Sequence, residues 1–151
     1  GQVKQRLKDI FAGWHEPSEA LIDAADESTI LRNDLYDLAP LPRWTDGRVA
    51  LLGDAAHATT PNLGQGACQA LEDAVMLGRC LTLEANVVTA LREYESKRMA
   101  RANMIVARSR QIGAVGQWEN PLACTLRNTL LRLMPASMRM KQLEEVVGHE
   151  V

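Results

Sequence analysis

Apolar residues follow a helical period over most of this chain. The spacing predicts helices over 3–11, 18–27, 67–83, 87–115 and 121–133. Gly13 is a stop signal after the first of these helices, and Pro135 is a stop signal after the last. The final ten residues or so carry little pattern, and we expect them to fray.

The region between the second and third predicted helices has a different pattern. Residues 30–38 alternate loosely, which predicts a strand that Pro40 and Pro42 close, because proline cannot donate to a ladder. Asp46-Gly47 is a turn signal directly before the apolar run 49–52, a second predicted strand. A mixed helix–strand region therefore gives way, near 40–46, to a loop and then to helices only.

The charge of the chain is unevenly distributed. Its 151 residues are 46% apolar with a net charge of −2, which is ordinary for a globular protein and gives no argument for a nucleic-acid partner. Residues 1–85 hold 7 basic and 13 acidic side chains, whereas residues 86–151 hold 10 and 6. We interpret the two parts as neutralising one another across an internal interface, and the basic residues of 87–115 as a solvated face.

Cysteine usage and hydropathy favour a soluble, cytoplasmic protein. Cys68, Cys80 and Cys124 show neither C-x-x-C nor zinc spacing, so reduced thiols are expected and no metal site is predicted. No run approaches 18 apolar residues, so no integral membrane segment is expected. Because the chain opens without Met, directly in an amphipathic pattern, we interpret it as a fragment.

The strand at 49–52 opens into a glycine-rich loop and then a helix. Such a junction directs backbone N–H groups at a bound anion or polarised ring. Asp54 can accept hydrogen bonds from ligand hydroxyls or cap its own loop, and its spacing alone leaves both open. The motif is Gly53-Asp54-Ala55-Ala56-His57, Pro61, Gly64-Gln65-Gly66 and Glu72-Asp73-Ala74.

This full string closely resembles the second flavin-binding motif of single-component FAD-dependent aromatic hydroxylases. The variant with Thr59-Thr60-Pro61-Asn62 is most similar to the urate hydroxylase and zeaxanthin epoxidase branch. The resemblance implies an α/β fold like that of p-hydroxybenzoate hydroxylase, of which this chain would be the mostly helical C-terminal part with a few strands. It also implies domain boundaries: 1–42 as the end of a substrate-covering sheet domain, 43–84 as an FAD-binding segment, and 85–151 as a helical tail.

The resemblance implies a cofactor role for each motif position. Asp54 would bond the ribityl chain of FAD, and Pro61 would face the substrate. The N–H groups of Gln65, Gly66 and Ala67 would meet the pyrimidine edge of the ring, and Gly53 and Gly64 would shape the two loops. No catalytic side chain is expected, because the cofactor carries the chemistry.

Four other polar positions have a structural interpretation. We favour a structural hydrogen bond over a general-base role for His57, and a supporting role behind the cofactor for Glu72 and Asp73. Cys68, although near a helix N-terminus, is interpreted as a small packed side chain.

The implied whole enzyme uses NAD(P)H to reduce FAD and binds O₂. It would hydroxylate or epoxidise an aromatic, heteroaromatic or isoprenoid small molecule through a flavin hydroperoxide. The first dinucleotide fingerprint, G-x-G-x-x-G, does not occur in these 151 residues. The missing N-terminal half is therefore an expected partner, and the chain alone is expected to be inactive and to hold FAD loosely.

Two rival functions remain open at the level of sequence. The chain could be a non-catalytic helical interaction module with a vestigial flavin motif, or part of a flavin halogenase or dehydrogenase of the same fold. A P-loop nucleotide site is set aside, since no G-x-x-x-x-G-K-[ST] string occurs.

Overall fold

The computed structural model describes residues 2–149, which are mostly helical. Strands β1 (Thr45–Asp46) and β2 (Val49–Ala50) pair antiparallel, with Thr45 opposite Ala50 and Asp46 opposite Val49. Short 3₁₀ turns lie at Glu27–Thr29 and Pro61–Leu63. The helices are α1 (Gln2–Phe11), α2 (Ser18–Ala24), α3 (Asp54–His57), α4 (Gly66–Leu83), α5 (Val87–Gly116), α6 (Pro121–Leu133) and α7 (Ala136–Val147).

The chain divides between Leu35 and Tyr36 into two compact units. In the first unit, the Lys4 ammonium donates to the carbonyls of Asp23 (2.7 Å) and Ala25 (2.9 Å), which ties α1 to the end of α2. Gly13 follows α1 with φ +74°, as its predicted stop role requires. The described helices of this unit contain no buried residue.

The core of the second unit lies between α4 and α5. Both predicted helices are confirmed, and α5 presents small or aromatic side chains at helical spacing, so α4 can approach closely. The Tyr94 hydroxyl donates to the Leu51 carbonyl at 3.1 Å, and burial raises the pKa of Tyr94, which keeps it a donor. The buried cluster is Trp44, Ala56, Cys80, Ala90, Tyr94 and Ala102.

One prediction about secondary structure is wrong, and two others hold only in part. Residues 30–38 form no strand; within the described residues Leu38 donates to the Ala58 carbonyl, and no ladder develops. The strand at 49–52 is confirmed only for Val49–Ala50. Of the last ten residues, which were expected to fray, 142–147 belong to α7 instead, because Val146 is buried and Arg101 binds the carbonyl groups of Glu145 and Val146. Residues 148 and 149 follow the helix, and residues 150 and 151 lie outside the described residues.

A single carboxylate holds the β ribbon on α5. Glu95 Oε2 accepts the backbone N–H groups of Trp44 (2.5 Å) and Thr45 (2.6 Å) and the Thr45 hydroxyl (2.9 Å). Burial raises the pKa of Glu95, but the Trp44 and Thr45 donors more than offset it, so the pKa lies below its usual value. Glu95 on α5 therefore sets the position of the residues between the β ribbon and Gly53.

We expect Glu95→Gln to lower the free energy of unfolding by about 1–2 kcal/mol near neutral pH, since weaker acceptors then face three donors. A depressed pKa stabilises the fold above the unfolded value, and the effect is lost as pH falls through the folded value. Urea unfolding from neutral pH down to about pH 3 should therefore show a smaller pH dependence in the variant.

Glu93→Gln is the matched control, because Glu93 pairs only with the half-exposed Lys97 one turn along α5. Equal losses in the two variants would contradict the anchoring role of Glu95.

Candidate functional site

Asp73 on α4 is the centre of a buried polar network. Its Oδ2 accepts the Gly53 backbone N–H at 2.9 Å and lies 2.6 Å from His57 Nε2; its Oδ1 accepts Arg98 Nε at 2.8 Å. Asp73, His57 and Arg98 are at most 2% exposed. Burial raises the pKa of Asp73, but bonds from His57, Gly53 and Arg98 more than offset it, so the pKa is lowered. The carboxylate is ionised and His57 Nε2 donates to it.

Arg98 extends this network along α4. Its guanidinium pairs with Glu72 Oε2 at 2.6 Å and donates to Gln69 Oε1 at 2.8 Å. Gln69 in turn donates to Glu72 Oε1 at 2.9 Å. Opposite charges and paired donors therefore compensate one another in a region closed to water.

The network fixes the sharp turn that follows β2. Gly53 adopts φ +58°, and a Cβ there would lie 3.2 Å from the Ala70 Cβ on α4. Glycine suits both the backbone angle and the close approach. The turn places Asp54 at the start of α3, where its side chain is exposed and has no hydrogen-bond partner among residues 2–149.

The second glycine loop leads into α4 without a cap. Gly64 has φ +64° after the Pro61–Leu63 turn, and no side chain caps the helix at Gln65. Ala67 and Cys68 in the first turn are exposed. The first N–H groups of α4 therefore remain open to a ligand, at the end where the helix dipole favours negative charge.

A clasp holds the Pro61 turn against α5. The buried Ser109 hydroxyl donates to the Thr60 carbonyl at 2.6 Å, and Asn62 Nδ2 donates to the Ser109 carbonyl at 3.0 Å. A Cβ at Gly113 would lie 2.4 Å from Asn62 Nδ2, so any other residue there would displace the Asn62 amide from this position. Sequence reasoning missed Ser109 and Gly113.

The predicted site residues therefore lie on two loops that are both joined to α4, one through the bond from Gly53 to Asp73 and the other as the entry to the helix. Gly53 and Asp54 form one loop, whereas Pro61, with Gly64–Ala67, forms the other. His57 makes the structural bond that was favoured.

Two predictions about individual side chains are wrong. Cys68 is exposed and not packed, because it lies on the open first turn of α4. The side chain of Arg101 is only 9% exposed, since it bridges Glu72 and the end of α7, so the basic face of α5 is not simply solvated. Within residues 2–149 no group of acidic, histidine or cysteine side chains could hold a metal ion.

Comparison with known proteins gives a consistent assignment. Residues 37–109 match the family described as FAD binding domain. The chain is 53% identical over 132 residues to aurachin C monooxygenase/isomerase of Stigmatella aurantiaca, covering 87% of this chain and 34% of that protein. It is 47% identical over 109 residues to FAD-dependent urate hydroxylase of Klebsiella pneumoniae, covering 72% and 28%.

The fold is also that of a solved flavoprotein. The structure of Klebsiella pneumoniae HpxO complexed with FAD and uric acid matches with a TM-score of 0.83 and 36% identity, over 93% of this chain and 36% of that one. The homologues are thus FAD-dependent monooxygenases, with the expected p-hydroxybenzoate hydroxylase-like fold. The chain spans between 17% and 34% of the length of the curated relatives it matches.

We expect Gly53→Ala to destabilise the protein by more than the roughly 1–3 kcal/mol of strain that a sparsely populated backbone conformation costs, because φ is +58° with ψ −140° at this position and the added Cβ also meets Ala70. Gly47→Ala is the matched control, since Gly47 has the same φ of +58° with nothing within 4 Å of its Cβ. Chemical denaturation measures both. Identical losses would show that the contact with α4 carries no cost.

Asp73→Asn should cost about 3 kcal/mol of unfolding free energy, because the buried Arg98 then keeps only Glu72 as a charged partner and a neutral amide faces the donors of Gly53 and His57. Thermal and urea unfolding check this. Asp37→Asn, which breaks the exposed pair with Arg110, is the comparison and should have a much smaller effect. A similar small effect at Asp73 would refute its central role.

Proposed function

We propose, on the premise that residues 37–109 are a segment of the FAD binding domain family, that this chain supplies the flavin-ring half of an FAD site. Asp54 would accept hydrogen bonds from the ribityl hydroxyls, and the amides of Gln65, Gly66 and Ala67 would bond the pyrimidine edge. Gly53 and Gly64 would set the two loops, and Pro61 would face the substrate.

This proposal rests on two observations taken together: a carboxylate without a hydrogen-bond partner and a helix N-terminus without a side-chain cap. Asp54 is exposed without a hydrogen-bond partner in the described residues, while α4 begins without a side-chain cap. A flavin carries hydroxyl donors on its ribityl chain and acceptors on its pyrimidine ring. The acceptor and the donors of the two loops therefore match the two parts of the cofactor.

FAD, when bound, would supply the redox and oxygen-transfer chemistry of the enzyme. The role of the chain is to orient that group and to stabilise charge. The first N–H groups of α4 would stabilise negative charge at the pyrimidine edge, where preoriented donors of this kind contribute about 2.7–4 kcal/mol. Asp73 accepts the Gly53 N–H, and this bond fixes the position of the Asp54 loop relative to α4.

The whole protein would be an NAD(P)H-using monooxygenase that acts on an aromatic, heteroaromatic or isoprenoid small molecule. This proposal is supported by relatives named for aurachin C, urate and zeaxanthin chemistry, of which the chain spans only part. We place the protein in the cytoplasm, in keeping with three free cysteines.

Titration of the ¹⁵N-labelled chain with FAD tests the flavin role. We expect fast-exchanging shifts confined to the amides of Gly53, Asp54 and Gly64–Ala67, with flavin lost on desalting because one half of the site is absent. Asp54→Ala should weaken binding by roughly tenfold, the loss of one charge-assisted hydrogen bond.

Asp46→Ala removes another exposed carboxylate, at the end of β1, and should leave the FAD affinity unchanged. Chemical-shift changes scattered over residues outside both loops would reject the flavin site and favour a non-catalytic helical module. Flavin absorbance that survives desalting would instead show that this chain alone forms a firm site.

A further inference from the structure

Helix α6 carries its leucines on the outside. Four of them follow one another at intervals of 4, 4 and 3 residues, which places them on one face. That face points away from the protein, whereas Ala123, Cys124 and Arg127 on the other side are partly buried. An amphipathic helix of a globular domain normally has the reverse orientation. The exposed fractions are 81% for Leu122, 59% for Leu126, 59% for Leu130 and 73% for Leu133.

The sequence around this leucine face is basic. Between Glu119 and Glu144 the sequence has no acidic residue, but it has four cations, Arg127, Arg132, Arg139 and Lys141. None of the four forms an ion pair with a carboxylate of the described residues. The half-exposed Trp118 lies just before α6. Aromatic rings of this kind favour the boundary between water and lipid.

Arg127 also fixes the position of α6. Its guanidinium donates to the carbonyls of Val115 (2.9 Å) and Gly116 (3.1 Å) at the end of α5. Asn120 caps α6 by accepting the N–H groups of Leu122 and Ala123. The leucine face is therefore held outward by bonds at the start and middle of the helix.

We propose that α6 lies flat on an anionic lipid surface, with its leucine face in the acyl boundary and the exposed cations Arg132, Arg139 and Lys141 against lipid phosphates. The 13 residues of α6 extend for only about 20 Å, too short to cross a bilayer but sufficient to lie in its plane. None of the described helices is long and apolar enough to span a membrane. The surface is thus an interfacial one.

Charge complementarity selects lipid over another protein surface. An exposed apolar face around Leu71 and Val75 on α4 has one acidic and one basic neighbour on the same helix, Glu72 and Arg79, so it lacks the basic surroundings. The leucine face of α6 instead combines exposed apolar side chains with nearby cations that have no ion-pair partner among residues 2–149. Anionic headgroups satisfy both features at once.

Co-sedimentation of the full chain with vesicles tests this proposal. We expect binding to phosphatidylcholine vesicles that contain about one third phosphatidylglycerol, at least tenfold weaker binding to pure phosphatidylcholine, and weaker binding at high salt. The double variant Leu126→Gln with Leu130→Gln should bind at least tenfold more weakly. Arg132→Gln should bind about fivefold more weakly, the value of one surface cation.

Matched controls distinguish binding through α6 from nonspecific binding to vesicles. Leu83→Gln alters a leucine that is 83% exposed at the end of α4, and Arg92→Gln removes an exposed cation from α5. Both should bind like the parent chain, and circular dichroism should show that every variant is folded.

Three outcomes would overturn the proposal. Equal binding to the two kinds of vesicle would reject the electrostatic contribution. Leucine variants that bind like Leu83→Gln would show that α6 is not the binding surface. A dimer in buffer that Leu126→Gln dissociates in sedimentation velocity would show that a second copy covers this face. None of these outcomes depends on whether the chain binds flavin.

Discussion

The ion pair between Asp73 and Arg98 is the interaction on which the flavin-site geometry depends. A buried ion pair adds little net stability compared with a well-packed apolar pair, because desolvation offsets the attraction. Its importance here is positional. One ionised carboxylate binds donors from three separate parts of the chain, the Gly53 turn, α3 and α5, and an apolar side chain could not specify any of them.

Helix α4 combines two tasks that conflict in most helices. Its buried side holds Asp73 and packs on α5, which requires a rigid element, while its N-terminus leaves donors unpaired. Unpaired donors cost little only where water or a ligand can reach them. The exposed first turn at Ala67 and Cys68 meets that condition, so the same helix can be tightly packed and still open to a ligand.

The parts predicted from sequence are those that local pattern determines. Helices α4 and α5 were predicted nearly to the residue, because spacing and flanking signals lie within each segment. The pairing of Asp73 with Arg98 spans 25 positions, and the only signal was a charged residue at an apolar position of the α5 pattern. The strand expected at 30–38 is absent and α7 was not predicted, in both cases because the contacts that decide the structure join residues distant in sequence.

Helix α5 acts as a ruler for the second unit. Glu95 holds the β ribbon, Arg98 the Gly53 turn, and Ser109 and Gly113 the Pro61 turn, over about 27 Å of one rigid rod. Exchange of a side chain on this rod disturbs one attachment at a time. Insertion or deletion of a single residue between Arg98 and Ser109 would instead rotate everything beyond it by about 100°, away from its loop. The spacing between the attachment points on α5 is therefore a stricter requirement of this fold than the identity of most side chains between them.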